Sequence, residues 1–359
     1  MKITTIIITS INLYAPFIRL KNVWKNLPGI EARYWAALAD METSSQSIVF
    51  SCAILQSVRD NKDMELLSSM TKSILDSFIK LTISTKVKPD DYVVELCTPL
   101  LKHLTHEEFK GLLLPALLKA MLRNPEIILC SVGKVLNVLS LDLSLYSNEL
   151  GKPIAGALHS KEDFIREEAL VAVEALAKQC SDAEAVSGLL NLLFGVLQGS
   201  EGKLTVASHK ISVLDGIGKL SQHSVTGAGV NKLSCDATEK FVKILESEVH
   251  EATAVRALQV LSSWTRRLTA AVPKAFIDLF KKGMLAKTST ATMRTQYIRC
   301  MSASCHAESE KQAAECVAPL LKSLERAAAQ PTQVPIVSEG LAAAVLLLRC
   351  VPLDEKVNT

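Results

Sequence analysis

Apolar residues recur every three or four positions along most of this chain. In Phe164–Gln179, Ile165, Ala169, Ala172, Val173, Leu176 and Ala177 fall on one side of a 3.6-residue turn, and Arg166 and Glu167 open the polar side. That spacing predicts an amphipathic helix. Just ahead of it, Lys152–Ser160 (KPIAGALHS) reads as a shorter helix with Pro153 near its first turn, where the missing N–H costs nothing. With the polar turn between them, the two segments make one helical hairpin.

The same pairing returns along the chain. Leu112–Leu122 precedes Pro125–Ser140, Asn191–Ser200 precedes Lys203–Leu220, and Phe241–Val249 precedes Glu251–Leu268. Phe276–Leu285 precedes Ala291–Ser304, and Cys316–Ala329 precedes Pro335–Cys350. A late leucine of each first helix (Leu158, Leu197, Leu245, Leu285, Leu324) gives separations of 39, 48, 40 and 39 residues. HEAT and armadillo repeats have a period of about 40–47 residues. The longest interval contains Ser221–Lys232 (SQHSVTGAGVNK), whose Gly and Ser content reads as a surface insertion. Ile30–Met41, Ser45–Arg59, Met64–Ile83 and Asp91–His103 have similar helix lengths with weaker repeat definition. Tetratricopeptide repeats are shorter and marked by aromatics, and ankyrin repeats need T-P-L-H-like turns that are absent here. The predicted fold is all-α: a HEAT/armadillo-like superhelical solenoid of antiparallel helix pairs. One hairpin cannot bury its apolar face alone, but stacked hairpins share a core and leave outer faces and turns for partners.

Composition agrees. The chain is 48% hydrophobic and 5% aromatic, with 15 Gly and 12 Pro in 359 residues. It is too apolar for a disordered chain and too poor in turn residues for an all-β fold. Residues 1–22 stand apart. Met1–Leu20 has Lys2 and a short apolar run broken by Thr, Ser and Asn, like a weak signal peptide without a small-x-small cleavage site. It is too short and polar to span a membrane. The expected organisation is an irregular or misassigned segment over 1–22 and a continuous array over 23–359. The apolar Leu346–Leu348 so close to the last residue reads as a cut through a longer solenoid. Nine cysteines, odd in number and without C-x-x-C, read as free thiols in a reducing, cytoplasmic setting.

No segment carries recognisable catalytic chemistry. Gly199–Thr205 (GSEGKLT) evokes a phosphate-binding loop, but Leu197 stands where its first glycine is needed and Leu204 where Ser or Thr is needed. It reads as an inter-helix turn with a glycine at a helix end. Cys300, Cys305, His306 and Cys316 cluster in sequence, yet Cys300 and Cys305 point about 140° apart on a helix, so buried thiols are preferred to a metal site. Thr105–Glu108 (THEE) reads as a helix start. The expectation is a scaffold, not an enzyme, with no cofactor, no metal and no small-molecule substrate.

Net charge is only +3, but its distribution is uneven. Arg256 to Arg299 holds nine basic residues against one acidic residue, Asp278. Arg266, Arg267, Lys281, Lys282 and Lys287 lie near expected repeat turns and are the candidates for a phosphate-facing patch toward ribosomal RNA. The alternative is ordinary solvated helix faces.

Several phrases, in order, carry a family resemblance. They are Cys97–Glu126, Leu139–Tyr146, Leu176–Ala185, Gln198–Gly218, Glu248–Thr253, Phe280–Thr290 and Pro331–Leu348. Together they resemble the N-terminal region of the general control nonderepressible translational activators, from about Val23 to near Pro352. The resemblance implies a HEAT-repeat, ribosome-associated scaffold that senses stalled ribosomes in amino-acid starvation. It also implies activation of the initiation factor 2 alpha-subunit kinase by the full-length protein. Family members are several times longer, and their elongation-factor-like middle and kinase-binding C-terminal regions have no counterpart here. The kinase is therefore an expected partner only through those regions, and the ribosome is the expected partner of this chain. Another HEAT-repeat scaffold, a transport receptor or phosphatase scaffold, is the alternative.

Overall fold

The computed structural model describes residues 64–200, 202–269, 271–286, 288–303 and 310–350, with Ser45, Ile48, Cys52 and Leu55 as single helical positions. The segment 1–22, the helix expected over Ile30–Met41, and Lys287, Cys305 and His306 lie outside these residues. All regular structure among the described residues is helical. It falls into two compact units, Met1–Leu143 and Ser144–Thr359.

In the first unit, α1 (Met64–Phe78) runs into a π turn at Ile79–Ile83. Short helices α2 (Asp91–Leu96) and α3 (Thr98–Leu101) follow. Helix α4 (His106–Glu108) continues through a π turn at Phe109–Leu113 into α5 (Leu114–Arg123). Thr105 starts α4 as the sequence predicts. Its Oγ1 accepts from the Glu108 N–H at 3.2 Å, and its own N–H donates to Glu108 Oε2 at 2.9 Å, a reciprocal capping box. Pro125 ends α5 by biasing Asn124 away from helical geometry, then opens α6 (Pro125–Val138). Helices α5 and α6 form the hairpin expected from their pattern, with Leu113, Leu117, Val132, Val135 and Leu136 buried.

The second unit contains five hairpins among its described residues. The first helices are α7 (Ser147–Ala157), α9 (Ala183–Gln198), α11 (Ala228–Ser247), α13 (Lys274–Leu285) and α15 (Glu310–Ala328). The second helices are α8 (Asp163–Lys178), α10 (Ala207–Leu220), α12 (Glu251–Thr265), α14 (Ala291–Ala303) and α16 (Val334–Cys350). Each odd helix packs on the next odd helix, each even on the next even, and each pair on itself. This two-layer stack is the HEAT-like arrangement that the repeat period requires.

Three local expectations change. Helix α7 begins at Ser147, so Pro153 lies inside it rather than near its first turn. The missing backbone bond is tolerated because Leu150, Ile154 and Leu158 are buried on both sides of the proline. Arg166, read as polar face, is buried, and its guanidinium donates to the Ser160 and Lys161 carbonyls at 2.7 and 3.2 Å and to Asp163. It thereby closes the α7–α8 turn. Ser221–Lys232 is not a surface insertion. Residues from Ala228 onward belong to α11, and Ser221, His223 and Val225 are buried. The Ser224 N–H donates to the Cys180 carbonyl at 3.1 Å and its hydroxyl to the Lys178 carbonyl, so this strap caps the end of α8.

At Gly283, α13 and α14 pack closely. A Cβ added there would overlap the ring of the buried Tyr297. Gly283→Ala is expected to destabilise the second unit by about 1–3 kcal/mol, read as a lower midpoint in chemical denaturation.

Candidate interaction surface

Along the even layer, charged side chains tie each hairpin to the next. Lys219 of α10 pairs with Glu174 of α8, Arg256 of α12 with Asp215 of α10, and Arg299 of α14 with Glu339 of α16, the last at 2.5 Å. The partners lie 40–45 residues apart, about one repeat. Hydrogen bonds from Lys178 and Lys219 hold the Glu174 carboxyl below its usual pKa. Part of the basic content of Arg256–Arg299 is thus internal cross-linking.

The sequence-predicted cations separate accordingly. Arg267 donates to the Ser221 and His223 carbonyls, the latter at 3.2 Å, and burial lowers its pKa. It serves the C-terminal end of α10, where a cation also complements the helix dipole. Lys281 pairs with Glu315 of α15, which raises the lysine pKa. Lys282 lines a cleft between α11 and α13 with Glu239, Glu246 and Asp278, in acidic company. Lys281 lies seven residues into α13, about 10 Å along the axis from its first residue. Arg266 and Arg267 sit at the other end, in the turn that leads into α13. The four described candidates thus differ in their partners, Arg267 and Lys281 being engaged within the fold and Arg266 exposed.

What does converge is the edge where even helices end and odd helices begin. Lys178 ends α8, Lys219 falls in the last turn of α10, and Arg266 follows α12. Lys274 opens α13, and Lys232 lies near the start of α11. Asn231 joins the last two turns: its Nδ2 donates to Thr269 Oγ1 at 2.6 Å, and its Oδ1 accepts from the Thr269 N–H at 2.7 Å. Lys232, Arg266 and Lys274 are exposed around this clasp. Carboxylates near the edge include Glu174, held by two lysines, Glu149 at the start of α7, and Asp182 and Glu184 at the start of α9; Glu315 of α15 lies within electrostatic reach of Lys274, and Asp236 one turn further into α11. Sequence reading missed Lys219 and Lys232. The available signal was the repeat itself, which sets cations at positions 178, 219 and 266 at or just beyond the ends of successive even helices.

The remaining motifs behave structurally. Gly199 ends α9 with φ 94°, and Gly202 has φ 113°, so Gly199–Thr205 is an inter-helix turn. Cys300 and Cys316 are buried, and burial pushes each thiol up to about 12, which keeps them protonated at neutral pH. Among the described residues, no three His, Cys, Asp or Glu side chains are grouped to hold a metal ion, and no helix is long and apolar enough to cross a membrane.

Comparison with known proteins joins this geometry to a family. Residues 71–204 match the family model described as the stalled ribosome sensor GCN1 N-terminal region. Over 340 residues, 95% of the chain, the sequence is 39% identical to the human stalled ribosome sensor GCN1. By sequence the chain is similar to the GCN1 proteins. The mouse GCN1 protein is matched at the same identity and coverage. The Arabidopsis thaliana protein ILITYHIA is 26% identical over 286 residues, 79% of the chain. The chain spans 13% of the length of the human and mouse relatives and 10% of the plant protein. A chain from the solved structure of Kap95p with RanGDP superposes with a TM-score of 0.51 at 11% identity, covering 91% of this chain and 43% of that one. That likeness supports the helical-repeat fold alone.

Proposed function

We propose that this chain is a non-catalytic, cytoplasmic scaffold that contacts ribosomes in the stalled-ribosome response, with the edge formed by Lys219, Lys232, Arg266 and Lys274 turned toward ribosomal RNA. The observation that carries the reading is the 39% identity to the stalled ribosome sensor GCN1 across 95% of the chain. The edge supplies a physical means, because its exposed cations Lys232, Arg266 and Lys274 can displace counterions from RNA phosphates and bind in a salt-dependent way. On this reading one repeat array runs from residue 23 onward. Arg267, Lys281 and Lys282 act within the fold or at its far end, and Lys287 is a further candidate cation. Activation of the initiation factor 2 alpha-subunit kinase belongs to the longer family proteins, through regions other than those matched here.

Purified chain pelleted with ribosomes through a sucrose cushion tests the reading. It is expected in the ribosomal pellet at roughly 0.1 M salt and in the supernatant at several-fold higher salt. Retention in the supernatant at every salt concentration would count against it.

A further inference from the structure

A cavity of about 360 Å³ opens in the first unit, between the segment after the π turn at Ile79–Ile83 and the α5–α6 junction. Its size is within the range of small-molecule sites. Three cations line it: Lys86 from the segment after the π turn, and Lys119 and Arg123 from α5. No carboxylate is among the lining residues. Lys119 and Arg123 are four residues apart on one face of a helix, a like-charge spacing that disfavours the helix itself. Some cations elsewhere in the chain are paired, Lys134 with Glu95, Lys219 with Glu174 and Arg256 with Asp215. Among the described residues, none of the three cavity cations has a hydrogen bond or ion pair.

The polar groups beside them suit the same ligand. Ser84 and Asn124 also line the cavity, and neither side chain is engaged in capping the adjoining helix. The floor is aliphatic, from Ile83, Ala120 and Ile128, and no aromatic ring lines the cavity. A nucleobase would therefore find no stacking surface, whereas a compact polyanion would meet three positive charges and neutral donors.

We infer that this cavity binds a small ligand carrying two phosphate groups on a non-aromatic body or on none, the shared chemistry of pyrophosphate and a sugar bisphosphate. The site lies in the first unit and is independent of the ribosome-facing edge in the second.

Calorimetric titration of the full chain with sodium pyrophosphate, orthophosphate, fructose 1,6-bisphosphate, GDP and a short RNA oligonucleotide tests the inference. Saturable one-to-one binding of pyrophosphate or the bisphosphate is expected, with orthophosphate about tenfold weaker and GDP no tighter than pyrophosphate. The tighter of the first two identifies the source of the phosphates. Lys119→Gln and Arg123→Gln should each weaken binding about tenfold, and Lys86→Gln does the same from the opposite wall, away from any helix. Lys102→Gln, outside the cavity, should leave it unchanged. Absence of saturable binding by both two-phosphate probes, undiminished binding in the Lys86→Gln and Arg123→Gln variants, or binding confined to an RNA oligonucleotide would overturn the inference.

Discussion

Replacing Trp264 with alanine is expected to destabilise the second unit by about 3–5 kcal/mol. The indole is fully buried in the α10–α12 interface. Its Nε1–H donates to the Ile217 carbonyl at 3.1 Å, 47 residues away. Ile217 lies in the last turn of α10, where carbonyls lack intrahelical donors, and Ser221 turns back to Gly218 instead. Trp264 thus fills volume and satisfies a buried acceptor in the preceding hairpin. Truncation leaves a cavity and an orphaned carbonyl together. Trp264→Phe keeps most of the volume but not the hydrogen bond, so a smaller destabilisation of about 1–3 kcal/mol is expected. Urea denaturation followed by circular dichroism separates the three proteins. Equal midpoints for wild type and Trp264→Ala would show that the hairpins are not coupled through this residue.

Acidification should weaken the same region through His223. The imidazole is 3% exposed and tilted against Trp264, with ring centroids 5.8 Å apart. Neither ring nitrogen has a hydrogen-bond partner among the described residues. Burial, and then the charge of Arg267, lower its pKa from 6.5 to about 4. The unfolded chain therefore takes up a proton below pH 6.5, while the folded chain resists until about pH 4. The stability contributed by this group is complete above pH 6.5 and is lost as pH falls toward 4, by at most about 3 kcal/mol. His223→Leu removes both the titration and an unsatisfied polar group. Its melting temperature at pH 7 should equal or exceed that of wild type, and its stability should fall less between pH 6.5 and 5, above the range where most carboxylates titrate. Identical pH slopes for the two proteins would contradict this role of His223.

The hairpins were legible because a 3.6-residue apolar period survives tertiary packing almost unchanged, and Thr105 and Gly199 carried their capping chemistry locally. The errors came where long-range contacts override local preference. Pro153 sits inside α7 because buried neighbours hold the helix across it. Ser221–Val225 looks like a loop by composition, but its partners are the end of α8 and Trp264, roughly one repeat away. The basic residues acquire partners in the same long-range way, Arg267 at the end of α10 and Lys281 at Glu315 of α15. Closeness in sequence grouped Arg266 with Lys281 and Lys282, although α13 carries the lysines to the far end of the hairpin. The repeat sets Lys219 and Arg266 at corresponding helix ends and Lys232 and Lys274 near the helix starts that follow them.

Whether this edge faces ribosomal RNA is tested most directly by the affinity for purified ribosomes, measured against salt, of wild type and a Lys232→Glu, Arg266→Glu, Lys274→Glu variant. Arg267 is left intact because it holds the end of α10, and equal melting temperatures establish that the variant is folded. The variant should bind more weakly at every salt concentration, with a logarithmic salt slope shallower by about one for each phosphate it no longer neutralises. Unchanged affinity and an unchanged slope would place the ribosome-binding surface elsewhere and contradict the proposal.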